Sequence, residues 1–156
     1  MKKISLIVIM IISIIFVKNV LAESSYRRDL PLMTLNQDTA KYLQENILAH
    51  KERFQNRSLN NILNELKLPV KSYIVSFGRK VGTIKGVSLI FENFHNASEK
   101  LHQHKSVHSL FVEFETPVSS AAAARLLKVS NGNWLTGESE LYGPLIIKNI
   151  TGPHGK

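Results

Sequence analysis

The sequence predicts an α+β fold, a mostly antiparallel sheet of about four strands with helices packed on one face. Three observations predict it. Two stretches with apolar residues at helical spacing come first, around Ala40–Lys51 and Leu59–Leu66. Runs that alternate apolar and polar residues follow, SYIVSF and SLFVEFE, with VSLIFENF between them. The connections between these runs are short, which favours antiparallel neighbours over crossovers.

Ala40, Leu43 and Ile47, continued by Leu48 or Lys51, place one apolar stripe on a helix spanning Gln37–Phe54, with Asn36 or Asp38 as its cap. QNRS interrupts, and Ser58 offers an N-cap for a second helix with the stripe Leu59, Ile62, Leu63 and Leu66. Pro69 stops it by Leu68, since the residue before proline disfavours the α region. In the first strand Tyr73, Val75 and Phe77 share one face. Gly78 to Gly86 reads as a hairpin connection, and the second strand sets Val87, Leu89 and Phe91 on the core face. The third strand does the same with Leu110, Val112 and Phe114. Thr116-Pro117 reads as a helix start, because threonine caps and proline suits the first turn. VSSAAAARLLK carries that helix to about Lys128, and Asn131-Gly132-Asn133 ends it. Trp134 to Tyr142 is expected to be irregular, PLIIKNI to be the last strand. The expected order is α-α-β-β-(histidine-rich)-β-α-β. The nine strand residues named above should form one core face beneath Leu59, Ile62, Leu63, Leu66 and Leu126.

The N-terminus has the layout of a cleaved secretory signal: Lys2 and Lys3, an apolar run Ile4–Val17 broken only by Ser5 and Ser13, then Val20-Leu21-Ala22 before Glu23. The run is shorter than the roughly 20 residues of a spanning helix and ends at Lys18. The expected organisation is therefore a signal peptide over 1–22, a loose leader over 23–36, one α+β domain over 37–152 and a tail over 153–156. Its destination is the periplasm or the outside of the cell, and the short isoleucine-rich signal points to a bacterium. There is no cysteine, so no lipid-modified cysteine follows the signal and the mature fold rests on packing alone. No later apolar run reaches spanning length, so the mature chain is expected not to cross a membrane. The chain carries net charge +8; cleavage removes Lys2, Lys3 and Lys18 and leaves +5, spread along the chain. A positive balance suits nucleic acid, anionic lipid or an acidic partner; the scatter argues for a solvated surface, and export argues against a nucleic-acid role.

Chemistry is sparse. HNASEKLHQHKSVH holds four of the six histidines, His95, His102, His104 and His108. In an extended segment His102 and His104 project to the same side and can chelate, with His108 in the same row and His95 returning from the other side. On a short helix from Ser98 the pair diverges by about 200° around the axis. Only Glu99 is near enough in sequence to orient a ligand, so no pre-built metal site is expected. A metal-binding role and a pH-responsive surface stay as alternatives. No cofactor is indicated. A thiol mechanism is excluded by the lack of cysteine, and no G-x-S-x-G elbow is present, which leaves an exported hydrolase with the least support and no catalytic residue to name. Glu113 and Glu115 share a strand face, as an acid/base pair needs, but also as solvated strand charges do. GRKVGTIKG lacks phosphate-loop spacing and lies between strands; Arg79, Lys80 and Lys85 make it a basic hairpin tip. Asn56, Asn96 and Asn149 head N-x-[ST] triplets, which have meaning only in a eukaryotic secretory pathway. Trp134 and Tyr142 flank a loop and are candidate interaction residues, unless Trp134 folds back onto the sheet edge. The functional expectation is a small exported, non-catalytic domain that binds another protein or an envelope component. The passage SLNNILNELKLPVKSYIV resembles small exported α+β modules that bind or inhibit proteins, and it carries no site residue.

Overall fold

The structure, a computed structural model, describes residues 35–152. The expected signal segment, most of the leader and the tail lie outside the described residues. Strands β1 (Ser72–Phe77), β2 (Thr83–Ile90), β3 (Ser109–Ser119) and β4 (Ile147–Thr151) form one sheet in that order, and each neighbouring pair is antiparallel. Helices α1 (Leu35–Asn46) and α2 (Leu59–Glu65) precede the sheet, with a 3₁₀ helix (Leu48–Arg53) between them. α3 (Phe94–His102) joins β2 to β3, and α4 (Ser120–Ser130) and α5 (Thr136–Tyr142) join β3 to β4. The α+β class and the antiparallel meander agree with the sequence reading.

The core forms where the two periodicities meet. Leu43, Ile47, Phe54, Leu59 and Ile62 from the helical half pack with Tyr73, Val87, Leu89, Leu110, Val112, Phe114, Ile147 and Ile150 from the sheet, all buried. Leu63, Leu66 and Val75 join at its margin, half-buried. A smaller cluster, Ile90, Ala97 and Val107, is separate from it. Ile90 is one residue out of phase with Leu89, so it belongs to the opposite sheet face, where α3 supplies Ala97. Among the described residues no helix is long and apolar enough to cross a membrane.

Several expected boundaries move. The long first helix is α-helical only to Asn46; after Ile47 it continues as 3₁₀ turns over Leu48–Arg53, kinked at a non-helical His50 (φ −127°, ψ 26°). Positions 49–53 offer only the exposed Ala49 as an apolar side chain to bind another regular turn to the core, and most short-helix stability comes from such packing. α1 is already helical at Asn36 and Asp38, starting ahead of the expected Gln37, and Ala40 is exposed. Phe77, expected in the core, is 68% exposed, because the β1–β2 register shifts between Ser76 and Phe77 and the strand ends there.

β2 begins at Thr83 rather than Val87, and Gly86 lies inside it. A Cβ there would stand 2.2 Å from the Val112 carbonyl oxygen, so only glycine lets β2 and β3 approach this closely. Thr116-Pro117 does not start a helix. β3 runs through it to Ser119 and pairs again with β2 at Val118 and Ser119. A step of two residues on β2, Ile84 to Gly86, faces a step of five on β3, Glu113 to Val118. Pro117 sits in that excursion, where no ladder bond needs its missing N–H. α4 ends as expected at a left-handed Asn131 (φ 50°) and Gly132 (φ 81°).

Candidate functional site

The histidines do not converge. α3 starts at Phe94, earlier than the expected Ser98, because the Asn93 side chain accepts a hydrogen bond from the Asn96 N–H at 3.0 Å. His95 is in its first turn, exposed, with Nε2 3.6 Å from Glu99 Oε1. His102 is its last residue, and His104 lies beyond it in the left-handed region (φ 54°). Both are exposed. His108 is half-buried ahead of β3, and its carbonyl accepts from the Phe91 N–H. Among the described residues no three histidine, aspartate or glutamate side chains are grouped to hold a metal ion. A cleft of about 480 Å³ beside this helix is lined by Lys71, Glu92, Glu99, Lys100 and His108 among others, and its charges are partly neutralised by the Glu92–Lys100 ion pair. The Glu113–Glu115 pair is likewise not free, since Glu113 Oε1 accepts from Lys148 Nζ at 3.1 Å.

Tyr142 is not a surface residue. It is fully buried, its ring stacked on Phe114 (6.1 Å, 9°) and on Trp134 (6.0 Å, 27°). The expected irregular loop is the helix α5, whose start is fixed by Glu138: its Oε2 accepts from the Leu135 N–H at 2.9 Å, and its Oε1 from the Tyr73 hydroxyl at 3.1 Å. Half-buried Trp134 packs edge-on to Tyr73 at 5.8 Å, with Nε1 donating to Ser139 Oγ. Trp134 thus folds back against β1. The sequence reading missed this network, although a glutamate three residues after Leu135 is a helix-start signal.

The network carries a pH prediction. Burial raises the Tyr142 phenol well above its ordinary range, reinforced by Tyr73 and Glu138. Burial also raises Tyr73; its contact with Ser130 works the other way, and Glu138 adds to the rise. Raised values mean that the neutral phenols stabilise the fold fully below about pH 10, the unfolded value, and that this stabilisation is lost as pH climbs through the folded-state values. The urea midpoint of the wild type should fall above about pH 10, and Tyr142→Phe should remove part of that fall. The buried Tyr142 hydroxyl has no partner among the described residues. At pH 8 the phenylalanine variant should therefore be within about 1 kcal/mol of wild type or more stable. A larger loss would mean that the hydroxyl is satisfied by a buried water.

The third candidate, the basic hairpin tip, is exposed. Arg79, Lys80 and Lys85 are all at the surface, with Val81 97% exposed between them and Phe77 beside them. The turn is firmly held. The Lys80 carbonyl accepts from both the Thr83 N–H (3.2 Å) and its hydroxyl (2.6 Å). Gly78 N–H donates to the Thr83 carbonyl, and Ser120 N–H donates to the Gly82 carbonyl, tying the tip to the start of α4. Gly82 (φ 78°) supplies the left-handed residue that the turn requires. Among the described residues neither Arg79 nor Lys80 has a carboxylate within ion-pair distance, and Lys85 has only the Phe111 ring, 5.7 Å from Nζ. The arrangement is a hydrogen-bonded, cationic and partly apolar projection from the surface. No family model, no curated protein and no solved structure matches the chain.

Proposed function

We propose that this protein is a small exported, non-catalytic binding module, and that it meets an acidic protein or envelope component through the β1–β2 hairpin tip. The observation that carries this reading is the tip itself: Arg79 and Lys80 without a described counter-charge, beside exposed Phe77 and Val81, on a turn fixed by four hydrogen bonds. Unneutralised cations steer an acidic partner and favour its registration, while the apolar residues supply contact area. Export rests on the charged start, the apolar run and Val20-Leu21-Ala22.

Two measurements test it. The mass of protein recovered outside the cytoplasm should correspond to a chain beginning at Glu23; an intact Met1 in the membrane fraction would overturn export. Affinity capture from an envelope fraction should retain a partner at low salt, with the yield falling at least about tenfold for the Arg79→Glu, Lys80→Glu double variant. Equal yield from wild type and variant would remove the tip from the binding surface.

A further inference from the structure

We infer that β1 accepts an extended, acidic segment of a partner protein as an added strand along its outer edge. This deepens the binding-module reading and rests on it. β1 is an edge strand, paired with β2 on one side only. Its first half is already covered on the other side. The Tyr73 N–H donates to the Gly132 carbonyl and the Trp134 N–H donates to the Lys71 carbonyl, each at 3.0 Å, and Ser72 bridges Asn133. Since the Tyr73 N–H points away from β2, the alternation of an antiparallel ladder turns the N–H and carbonyl of Val75 to that same outer side. Among the described residues nothing pairs with them there. The short segment Gly132–Trp134 therefore starts a strand pairing that stops after Tyr73.

Proteins usually guard such an edge with a charge or a proline within the strand. SYIVSF contains neither; its only guard is the register shift after Ser76. Ile74 (39% exposed) and Phe77 (68% exposed) give an added strand apolar neighbours. Charge stands at the two ends instead: exposed Lys71 before the strand, Arg79 and Lys80 after it, none with a described ion-pair partner. An extended acidic segment that pairs with β1 beyond Tyr73 complements Arg79 and Lys80 at the open end. A second copy of this chain does not. Antiparallel pairing of β1 with itself would set Lys71 of one molecule against Arg79 and Lys80 of the other, which is repulsive. The acidic segment is therefore the occupant, bound by main-chain hydrogen bonds and selected by its charge.

The test uses an acetylated, amidated peptide of alternating valine and glutamate, and the same peptide N-methylated at alternate residues, which keeps the charge and removes the strand-pairing N–H groups. In isotope-labelled protein the Val75 amide should exchange rapidly when free and at least about tenfold more slowly with the unmodified peptide. The N-methylated peptide should bind at least about tenfold more weakly, as should the unmodified peptide to Val75→Pro, a change an edge strand tolerates where its N–H faces outward. Equal binding of both peptides overturns strand addition. In that case a loss of peptide binding in the Arg79→Glu, Lys80→Glu variant leaves the hairpin-tip reading standing, and no loss removes it too. A Val75 amide already protected in the free protein, with a dimer in sedimentation, would overturn the proposal in favour of a second copy. The peptide comparison and the amide exchange are read on the wild type, so the test survives a Val75→Pro variant that does not fold.

Discussion

Replacing Phe114 with alanine is expected to lower the unfolding free energy by about 3–5 kcal/mol, the range for deleting a fully buried phenylalanine whose surroundings relax only in part. Phe114 is 2% exposed and stacks on Tyr142 at an interplanar angle of 9°. The β3–β4 register shifts between Glu113 and Phe114, which then pairs with Ile147. Collapse into the space left behind is opposed from both sides, by the stacked aromatic rings and by a strand pair whose register is pinned. Against a total of about 5–15 kcal/mol for a domain of this size, such a loss removes a large share of the stability. Urea unfolding should show a lower midpoint with an unchanged slope. Phe77→Ala is the internal control. The same chemical change at a 68% exposed site should cost under about 0.5 kcal/mol. A cost below about 1 kcal/mol at Phe114 would mean that the β3 face is assigned the wrong way round.

The second large effect is expected at Glu138. Glu138→Ala should cost about 3 kcal/mol, because it leaves the Leu135 N–H without an acceptor and the Tyr73 hydroxyl with only the long 3.5 Å contact to Ser130 Oγ, in a site that is 1% exposed. Glu138→Gln should cost less, about 1–2 kcal/mol, since its amide oxygen can still accept from Leu135 and its amide nitrogen can donate to the Tyr73 oxygen. Tyr73→Phe removes the hydroxyl but leaves Glu138 Oε1 without that donor. Combined with Glu138→Ala it should cost less than the two single changes together, by about 1 kcal/mol or more. Additive single costs would show that the 3.1 Å contact contributes nothing to stability. This experiment also bears on β1, since Tyr73 joins the strand to α5 at the end that Gly132–Trp134 already covers.

Much of the fold was legible because burial on a sheet has period two and burial on a helix has period near 3.6. Leu110, Val112 and Phe114, Val87 and Leu89, and Leu59 and Ile62 could each be assigned from spacing alone, and all are buried. The basic tip was legible from its composition. Three features were not. Thr116-Pro117 has the local grammar of a helix start, yet a long excursion in the β2–β3 ladder takes proline into the strand. WLTGESELY has loop-like composition, yet a buried carboxylate and two stacked aromatics make it the helix α5. Tyr142 offered itself as a surface aromatic because hydropathy does not record which side of a short helix meets the core.

What the sequence by itself determined is the alternation and the turn chemistry: which residues face inward on the regular stretches of the first three strands, where glycine and asparagine stop a helix, and where cations collect. These follow from backbone sterics and side-chain period, which are local. What only the tertiary structure decided is which of those local preferences survive contact. His102 ends α3 and His104 follows it in the left-handed region, so the extended row that would set the two on one side does not form. Gly86 is fixed in a strand by the Val112 carbonyl beside it. The edge of β1 is half covered by a segment some sixty residues further along the chain, and that contact leaves Val75 facing outward. Pairings of this kind join residues remote in sequence, and their free energy depends on shape and desolvation at the contact, which no local pattern encodes.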